Sequence, residues 1–237
     1  MPESTALFYM SCLVSALHSC EKEGYMVRAI DPYSVMISKS GHPVLANLTE
    51  CKMMTGQRSF TICGMHTYMA PEMVTGEGYD FAVDGWSLGV LAHEMITGKN
   101  PFESDSDDGD ASETTVYKSI TRWEAGGFKK KLREDDGAPP ATEECQNFVD
   151  GLMTPDPKCR LGGTVGCGEI KSHPWFASVD WEAHESPPPV SSSSASSDFA
   201  LSSMDALTLD KQGNVDDFTD ALERHAKKYE SDIFEGF

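Results

Sequence analysis

Hydrophobic residues recur at intervals of three and four between positions 6 and 20, the spacing of one face of an α-helix. Six of the most apolar positions are Ala6, Leu7, Met10, Leu13, Val14 and Leu17. The pattern predicts a buried helix that ends near Gly24, where the apolar spacing stops.

Two short apolar runs, at 35–37 and 44–46, flank the polar segment 38–43 with the sequence SKSGHP. Apolar runs on either side of a turn-rich segment are typical of a β-hairpin. Residues 47–68 show no clean period and are predicted to form a loop.

Residues 84–96 (DGWSLGVLAHEMI) are apolar around almost the whole helix circumference, which predicts a central core helix. Asp84 is placed to cap its start and Gly98 to end it. Helical patterns return near 115–125 and 142–153. The body of the chain is therefore predicted to be mainly α, with one small hairpin.

A composition change divides the chain after residue 182. Residues 186–205 (SPPPVSSSSASSDFALSSMD) are rich in Pro and Ser and predict an extended linker, which an amphipathic pattern follows at 216–229. We therefore predict a domain at 1–182 and a tail at 183–237. A second polar stretch, 103–114 (ESDSDDGDASET), predicts a surface loop within the body.

The formal net charge of −19 and the pI of about 4.6 argue against nucleic acid as a partner, because such binding needs a basic footprint. The same charge argues against docking on an anionic membrane. It favours a basic peptide or protein as partner, although acidity that only maintains solubility is an equal alternative.

The number and spacing of the cysteines indicate the cellular compartment of the protein. The seven cysteines are odd in number and no CxxC motif occurs, which predicts reduced thiols and a cytoplasmic, intracellular protein. The histidines are scattered, so no metal site is predicted. The first residues do not read as a signal peptide, and no apolar stretch is long enough to span a membrane.

Four motifs follow one another along the chain: GMHTYMAPE at 64–72, DGWSLGV at 84–90, EMITGKNPF at 94–102, and DPKCRLG at 156–162, followed by HPWF. In this order they resemble the C-terminal lobe of protein kinases. Three further signals resemble the AGC group of serine/threonine kinases, in particular the cAMP- and cGMP-dependent enzymes. These are TICG at 61–64, ASVDW at 177–181, and the closing Phe234 and Phe237.

The resemblance implies a fold and several structural roles. Because no glycine-rich nucleotide loop and no VAIK lysine is present, the fold class is predicted to be a kinase C-lobe with the N-lobe absent. Glu72 is expected to pair with Arg160, and Asp84 to bond the backbone of the catalytic loop. Glu94 matches a position that receives a substrate arginine. Phe234 and Phe237 match a tail that inserts into an N-lobe groove.

The catalytic loop of the family, H/Y-R-D-L-K-P-E-N, aligns with 27–34 (VRAIDPYS) through its proline. Ala29 then occupies the position of the proton-accepting Asp, Asp31 that of the Lys, and Ser34 that of the magnesium-holding Asn. Asn47 occupies the position of the DFG Asp. Alanine has no acceptor, the neutral Asn47 is a poorer magnesium ligand than the carboxylate of the family, and Asp31 repels phosphate. These four positions are expected to be non-functional.

Two residues retain a possible regulatory role. Arg28 matches the arginine that clasps an activation-loop phosphate, and Thr61 sits where the phosphothreonine belongs. Arg58 lies three residues earlier, a spacing that suits a basic-directed kinase. A phosphate there would pair with Arg28 and order the loop. The alternative is that Arg28 packs as an ordinary loop residue.

Three hypotheses follow for function. The first is a pseudokinase, a scaffold without a cofactor that binds a basic peptide, a kinase N-lobe or a regulatory subunit. The second is an active AGC serine/threonine kinase that uses ATP and Mg²⁺ and is represented here by a fragment. The third is a truncated product without function. Nucleotide binding separates the first two.

Overall fold

The computed structural model describes residues 1–38, 41–103, 112–134 and 140–181. Its helices are α1 (Glu3–Lys22), α2 (Pro71–Thr75), α3 (Ala82–Thr97), α4 (Glu113–Thr121), α5 (Gly127–Glu134), α6 (Glu143–Leu152) and α7 (Cys167–Lys171). Its strands are β1 (Tyr25–Met26), β2 (Val35–Ile37), β3 (Pro43–Leu45) and β4 (Lys52–Met53). Short 3-10 helices occupy His66–Tyr68 and Pro174–Phe176.

Helix α3 is the centre of the core, as its apolar sequence predicts. Every residue of α3 is buried except Glu94 and Thr97. A Cβ at Gly89 would lie 2.8 Å from the Cβ of Leu152, so the absence of a side chain allows α6 to approach α3 closely. Gly98 ends the helix at φ 77°, and its N–H donates to the carbonyl of Glu94 at 2.7 Å.

The start of α3 differs from the prediction. Phe81 precedes the helix and makes no capping bond, and Asp80 Oδ1 accepts from the Ala82 N–H at 3.2 Å. Asp84 lies one turn further in, and its carboxylate accepts hydrogen bonds from a distant loop instead. The predicted capping role of Asp84 was wrong, because a long-range backbone partner occupies both of its oxygens.

Helix α1 packs its buried face on the core and joins distant parts of the chain. Its buried residues are Ala6, Met10, Ser11, Leu13, Val14 and Leu17. The carboxylate of Glu3 accepts from the Thr142 N–H at 2.9 Å and from the indole Nε1 of Trp175 at 2.9 Å. The start of α1 is thereby tied to the start of α6 and to the segment after α7.

The described residues form two antiparallel two-stranded sheets. In the first, β1 pairs with β4, with Tyr25 opposite Met53. In the second, β2 pairs with β3, with Val35 opposite Leu45, as the predicted hairpin requires. The predicted hairpin is therefore confirmed. The pairing of β1 with β4 was not predicted, because strands of two residues each are too short to show a period of two.

Several predicted elements lie outside the described residues. These are most of the acidic segment 103–114 and the whole tail, 183–237, with Phe234 and Phe237. Within the described part of the chain, none of the helices is both apolar and long enough to span a lipid bilayer.

Candidate functional site

The loop between β1 and β2 carries the residues that align with the kinase catalytic loop, and Asp84 holds its beginning. The N–H of Val27 donates to Asp84 Oδ2 at 2.8 Å, and the N–H of Arg28 donates to Oδ1 at 2.6 Å. Arg28 has φ 67°, the only positive φ among the described non-glycine residues. Such a backbone persists only when its surroundings impose it, and here the buried carboxylate of Asp84 does so.

In the middle of this loop, the side chains of Asp31 and Ser34 form hydrogen bonds with the loop's own backbone. Asp31 Oδ1 accepts from the N–H groups of Tyr33 at 2.9 Å and Ser34 at 2.8 Å. Ser34 Oγ accepts from the Asp31 N–H at 2.9 Å and donates to the Asp31 carbonyl at 2.9 Å. Burial raises the pKa of Asp31, while these donors act in the opposite direction. Both side chains therefore serve the local backbone.

The other two substituted positions offer little to a ligand. Ala29 is buried, and its side chain is a single methyl group. Asn47, just after β3, is exposed, and its Oδ1 accepts from the Thr49 N–H at 3.3 Å and from the Thr49 hydroxyl at 2.8 Å. No cluster of three or more His, Cys, Asp or Glu side chains suited to a metal occurs among the described residues.

Arg28 and Thr61 are linked through a third residue. The Arg28 Nε donates to the Glu50 carbonyl at 2.5 Å, and its Nη1 donates to the Tyr79 hydroxyl at 3.4 Å. The Tyr79 hydroxyl in turn donates to the backbone carbonyl of Thr61 at 2.5 Å. The Thr61 residue is exposed. Tyr79 was absent from the sequence prediction, because nothing in the residues around it marks a bridge across 18 positions.

Glu94 lies in a polar cluster on the otherwise apolar helix α3. Its Oε2 accepts from the Tyr68 hydroxyl and from Asn100 Nδ2, the latter at 3.4 Å. Burial raises the pKa of Glu94, and the two hydrogen bonds oppose this rise. Burial and the nearby Glu94 also raise the pKa of Tyr68. Both partners lie inside motifs quoted from the sequence, but their contact with Glu94 depends on the fold.

Glu72 and Arg160 form a buried, bidentate ion pair. Nη1 lies 2.6 Å from Oε1, and Nη2 lies 2.9 Å from Oε2. The remaining guanidinium donors reach the carbonyls of Thr154, Ala82 and Pro155 at 2.9, 2.9 and 3.0 Å. All five N–H groups of the arginine are therefore satisfied, as a buried charge requires.

A family model described as the protein kinase domain matches residues 1–176. The chain belongs to the protein kinase domain family. The motifs at 64–72, 84–90 and 156–162 fall inside the matched segment, and so does every site residue described above.

Several protein kinases from distant organisms are similar to this family member. "Protein kinase 2" of Dictyostelium discoideum is 35% identical over 76% of this chain and 34% of its own length. "Serine/threonine-protein kinase AtPK1/AtPK6" of Arabidopsis thaliana is 33% identical over 77% of this chain and 36% of its own. "Serine/threonine-protein kinase gad8" of Schizosaccharomyces pombe is 35% identical over 75% of this chain and 28% of its own. The chain thus spans about a third of the length of each of these three relatives.

The family match also corrects the predicted fold class. The match to the protein kinase domain begins at Met1, the first residue of the chain, and runs to Phe176. This finding overturns the prediction of a C-lobe with the N-lobe absent. That prediction depended on the absence of two motifs of a few residues each, and short motifs are a poor measure of how much of a domain a chain covers.

Proposed function

We propose that this member of the protein kinase family is an AGC-type pseudokinase, which binds a basic peptide or a kinase partner in the cytoplasm and transfers no phosphate. The observation that carries the proposal is the self-closed loop at Asp31 and Ser34, next to the methyl group of Ala29. A kinase needs a proton acceptor, a cation and magnesium ligands at these positions.

ATP and Mg²⁺ are the cofactors that the family implies, and the residues present do not fit them. Ala29 has no atom that accepts a proton. Asn47 is neutral and bonded to Thr49, and Ser34 is bonded to Asp31. Magnesium is usually held through one or two carboxylates plus the phosphates, and Asp31 adds a negative charge where a lysine would meet phosphate. These features support a role without nucleotide.

Glu94 supports a role in peptide binding. Its carboxylate is only partly buried and is held by two donors, Tyr68 and Asn100, so it is oriented before a ligand arrives. A peptide arginine presents a planar fork of donors that suits such a carboxylate. The net charge of −19 adds long-range attraction for a basic peptide.

A thermal-shift titration tests the nucleotide half of the proposal. We expect no shift in the unfolding temperature at millimolar Mg-ATP, and no transfer of radiolabel to an arginine-rich peptide. A ligand at one hundred times its dissociation constant would add about 2.7 kcal/mol to the free energy of unfolding, which is a visible shift. A reproducible shift together with label transfer would overturn the inactive assignment and favour an active kinase.

Fluorescence anisotropy with an arginine-rich peptide tests the peptide half. We expect binding that weakens with salt and falls about tenfold in Glu94→Gln. Glu144→Gln is the matched control, because Glu144 is an exposed carboxylate on α6 and its replacement gives the same change in charge. If both variants lose the same peptide affinity, the effect comes from general charge, and Glu94 is not a specific peptide-binding residue.

We further propose that Thr61 is a phosphorylation switch read by Arg28. The bridge through Tyr79 already brings the Thr61 backbone and the Arg28 guanidinium to the same hydroxyl. A phosphate on Thr61 would offer Arg28 a charged acceptor in place of a neutral one. After treatment with a basic-directed kinase, we expect phosphate at Thr61 and slower proteolysis of residues 55–63. Identical proteolysis of the phosphorylated protein and Thr61→Ala would refute the switch.

A further inference from the structure

Asp31 is a nearly buried carboxylate that has no cation beside it in the described part of the chain. The residue is only 7% exposed. The ion pairs found among the described residues join Arg160 to Glu72 and His66 to Glu113, and neither includes Asp31. A buried charge is costly unless it is paired with an opposite charge. The N–H groups that bond Asp31 are neutral, so its charge is only partly compensated.

The fold uses one of the two carboxylate oxygens of Asp31. Oδ1 accepts from the N–H groups of Tyr33 at 2.9 Å and Ser34 at 2.8 Å, whereas no hydrogen bond to Oδ2 is found among the described residues. Oδ2 is also not one of the described polar atoms that lack a partner and are shut off from solvent. This oxygen is therefore accessible, and an incoming donor can bond it without breaking a bond of the loop.

Glu94, the acceptor proposed above for a peptide arginine, has the same arrangement. The Tyr68 hydroxyl and Asn100 Nδ2 both donate to its Oε2, and no bond to Oε1 is found among the described residues. Tyr68 connects the two carboxylates. Burial, then the charge of Glu94, and then that of Asp31 raise the pKa of Tyr68. Both carboxylates therefore lie within electrostatic range of one hydroxyl group.

We propose that Asp31 Oδ2 is a second cation-binding position of the peptide site, which takes a lysine side chain of the basic peptide whose arginine is bound by Glu94. The inference rests on the proposed peptide binding and adds a requirement for lysine. A lysine ammonium is a compact point charge on a slender stem, whereas the arginine fork is suited to two acceptors. At Asp31 only one oxygen is free, and the small exposed fraction of the residue favours the slender stem.

A divalent metal ion is a poorer occupant of this position than an ammonium group. Calcium takes about six to eight oxygen ligands, and magnesium requires a near-octahedral shell. No group of three or more His, Cys, Asp or Glu side chains suited to a metal occurs in the part of the chain that the structure describes. An ammonium group can bond Asp31 through one of its donors and water through the others. A lysine on a peptide already held at Glu94 also gains from its high effective concentration.

Fluorescence anisotropy with short peptides tests the second position. Each peptide carries one arginine, with a lysine at each nearby position on either side of it in turn, and a matched peptide carries glutamine in place of the lysine. At one spacing we expect the lysine peptide to bind about tenfold more tightly than its glutamine match, the scale of one hydrogen bond between charged groups. In Asp31→Asn this ratio should fall to about one. The variant keeps an oxygen acceptor for the two N–H groups of the loop.

Two further variants separate the inference from general charge and from the proposed function. Glu144→Gln, the exposed control on α6, should keep the wild-type ratio, and Glu94→Gln should weaken both peptides. A ratio near one at every spacing in the wild type, or one that persists in Asp31→Asn or falls equally in Glu144→Gln, would overturn the lysine position while peptide binding at Glu94 stands. Tighter binding of a peptide with arginine in place of the lysine would overturn it as well. If none of the peptides binds, the proposed function fails together with it.

Discussion

Polar side chains have different roles in two regions, the loop at 29–34 and the three buried charged residues Glu72, Asp84 and Arg160, which we call the charged frame. In the frame, each charged group is buried and bonds parts of the chain that are far apart, as when Glu72 meets Arg160 across 88 positions. In the loop, the hydrogen bonds found for the side chains of Asp31 and Ser34 among the described residues join these two residues to each other and Asp31 to the N–H of Tyr33. The contacts of the charged frame stabilise the fold as a whole, whereas those of the loop stabilise only its own turn.

This difference shows which physical constraint acts on each of the two regions. A buried charge without its partner costs several kcal/mol, so the frame residues cannot change singly without loss of stability. The loop needs acceptors for its own N–H groups, and Asp31 supplies them locally. Substitutions at 29, 31, 34 and 47 are therefore compatible with an intact fold, whatever chemistry they remove. The predictions below challenge this contrast, beginning with the largest effect.

Breaking the buried ion pair should give the largest effect. We expect Glu72→Ala to lower the free energy of unfolding by about 3–5 kcal/mol, because it leaves the guanidinium of Arg160 buried and unpaired. Urea denaturation followed by circular dichroism measures the change. The exposed Lys158→Ala is the control and should stay within about 0.5 kcal/mol of wild type. A loss of stability below about 1 kcal/mol in Glu72→Ala would contradict the proposed difference in stability between the charged frame and the loop.

Acid should destabilise the core through His93 on α3. Burial lowers the pKa of His93 from 6.5 to about 4, so between these values the unfolded chain binds the proton and the folded chain does not. Stability should therefore fall as pH drops from about 6.5 to about 4, by about 3 kcal/mol from this group. Urea midpoints measured across this range, with His93→Gln as the non-titrating variant, test it.

Asp84 should act in the opposite sense within the same range. Burial raises its pKa to about 6, although the N–H groups of Val27 and Arg28 and the charge of Arg28 favour the anion. The folded state then binds a proton before the unfolded state does, so this group alone adds stability as pH falls below about 6. The fall in stability between about pH 6.5 and about pH 4 should be about 3 kcal/mol smaller in His93→Gln than in wild type. An unchanged acid loss in that variant would refute the assignment to His93.

Loss of the Asp84 side chain should have an intermediate effect. We expect Asp84→Ala to cost about 2 kcal/mol, because it leaves the N–H groups of Val27 and Arg28 without their acceptor. The left-handed backbone at Arg28 should also loosen, which amide exchange at 27–29 would report. Stability equal to wild type would place Asp84 outside the frame.

The smallest effect should come from the loop itself. We expect Asp31→Asn to cost about 1 kcal/mol, since the local N–H groups of Tyr33 and Ser34 lose only the charge of their acceptor. Ser34→Ala should cost a similar amount, and the double variant should cost less than the sum, because the two side chains bond within one turn. A loss as large as that of Glu72→Ala would remove the difference between loop and frame.

Much of the fold was predictable from local pattern. The long apolar segments gave α1 and α3 close to their observed bounds, because burial on a helix face leaves a strong period in the sequence. The hairpin of β2 and β3 followed from its turn residues. Helix α2, with five residues, and strands β1 and β4, with two each, were not predicted, since so few residues leave no measurable period.

The sequence by itself determined the family, through ordered motifs, and the identity of the side chains at 29, 31, 34 and 47. Only the tertiary structure decided the long-range contacts, such as the bonds from Asp84 to a distant loop and the link through Tyr79 between Arg28 and Thr61. The physical reason is one of range. Helix periodicity and motif order are properties of neighbouring residues, whereas a hydrogen bond across tens of positions exists only once the core has brought its two ends together.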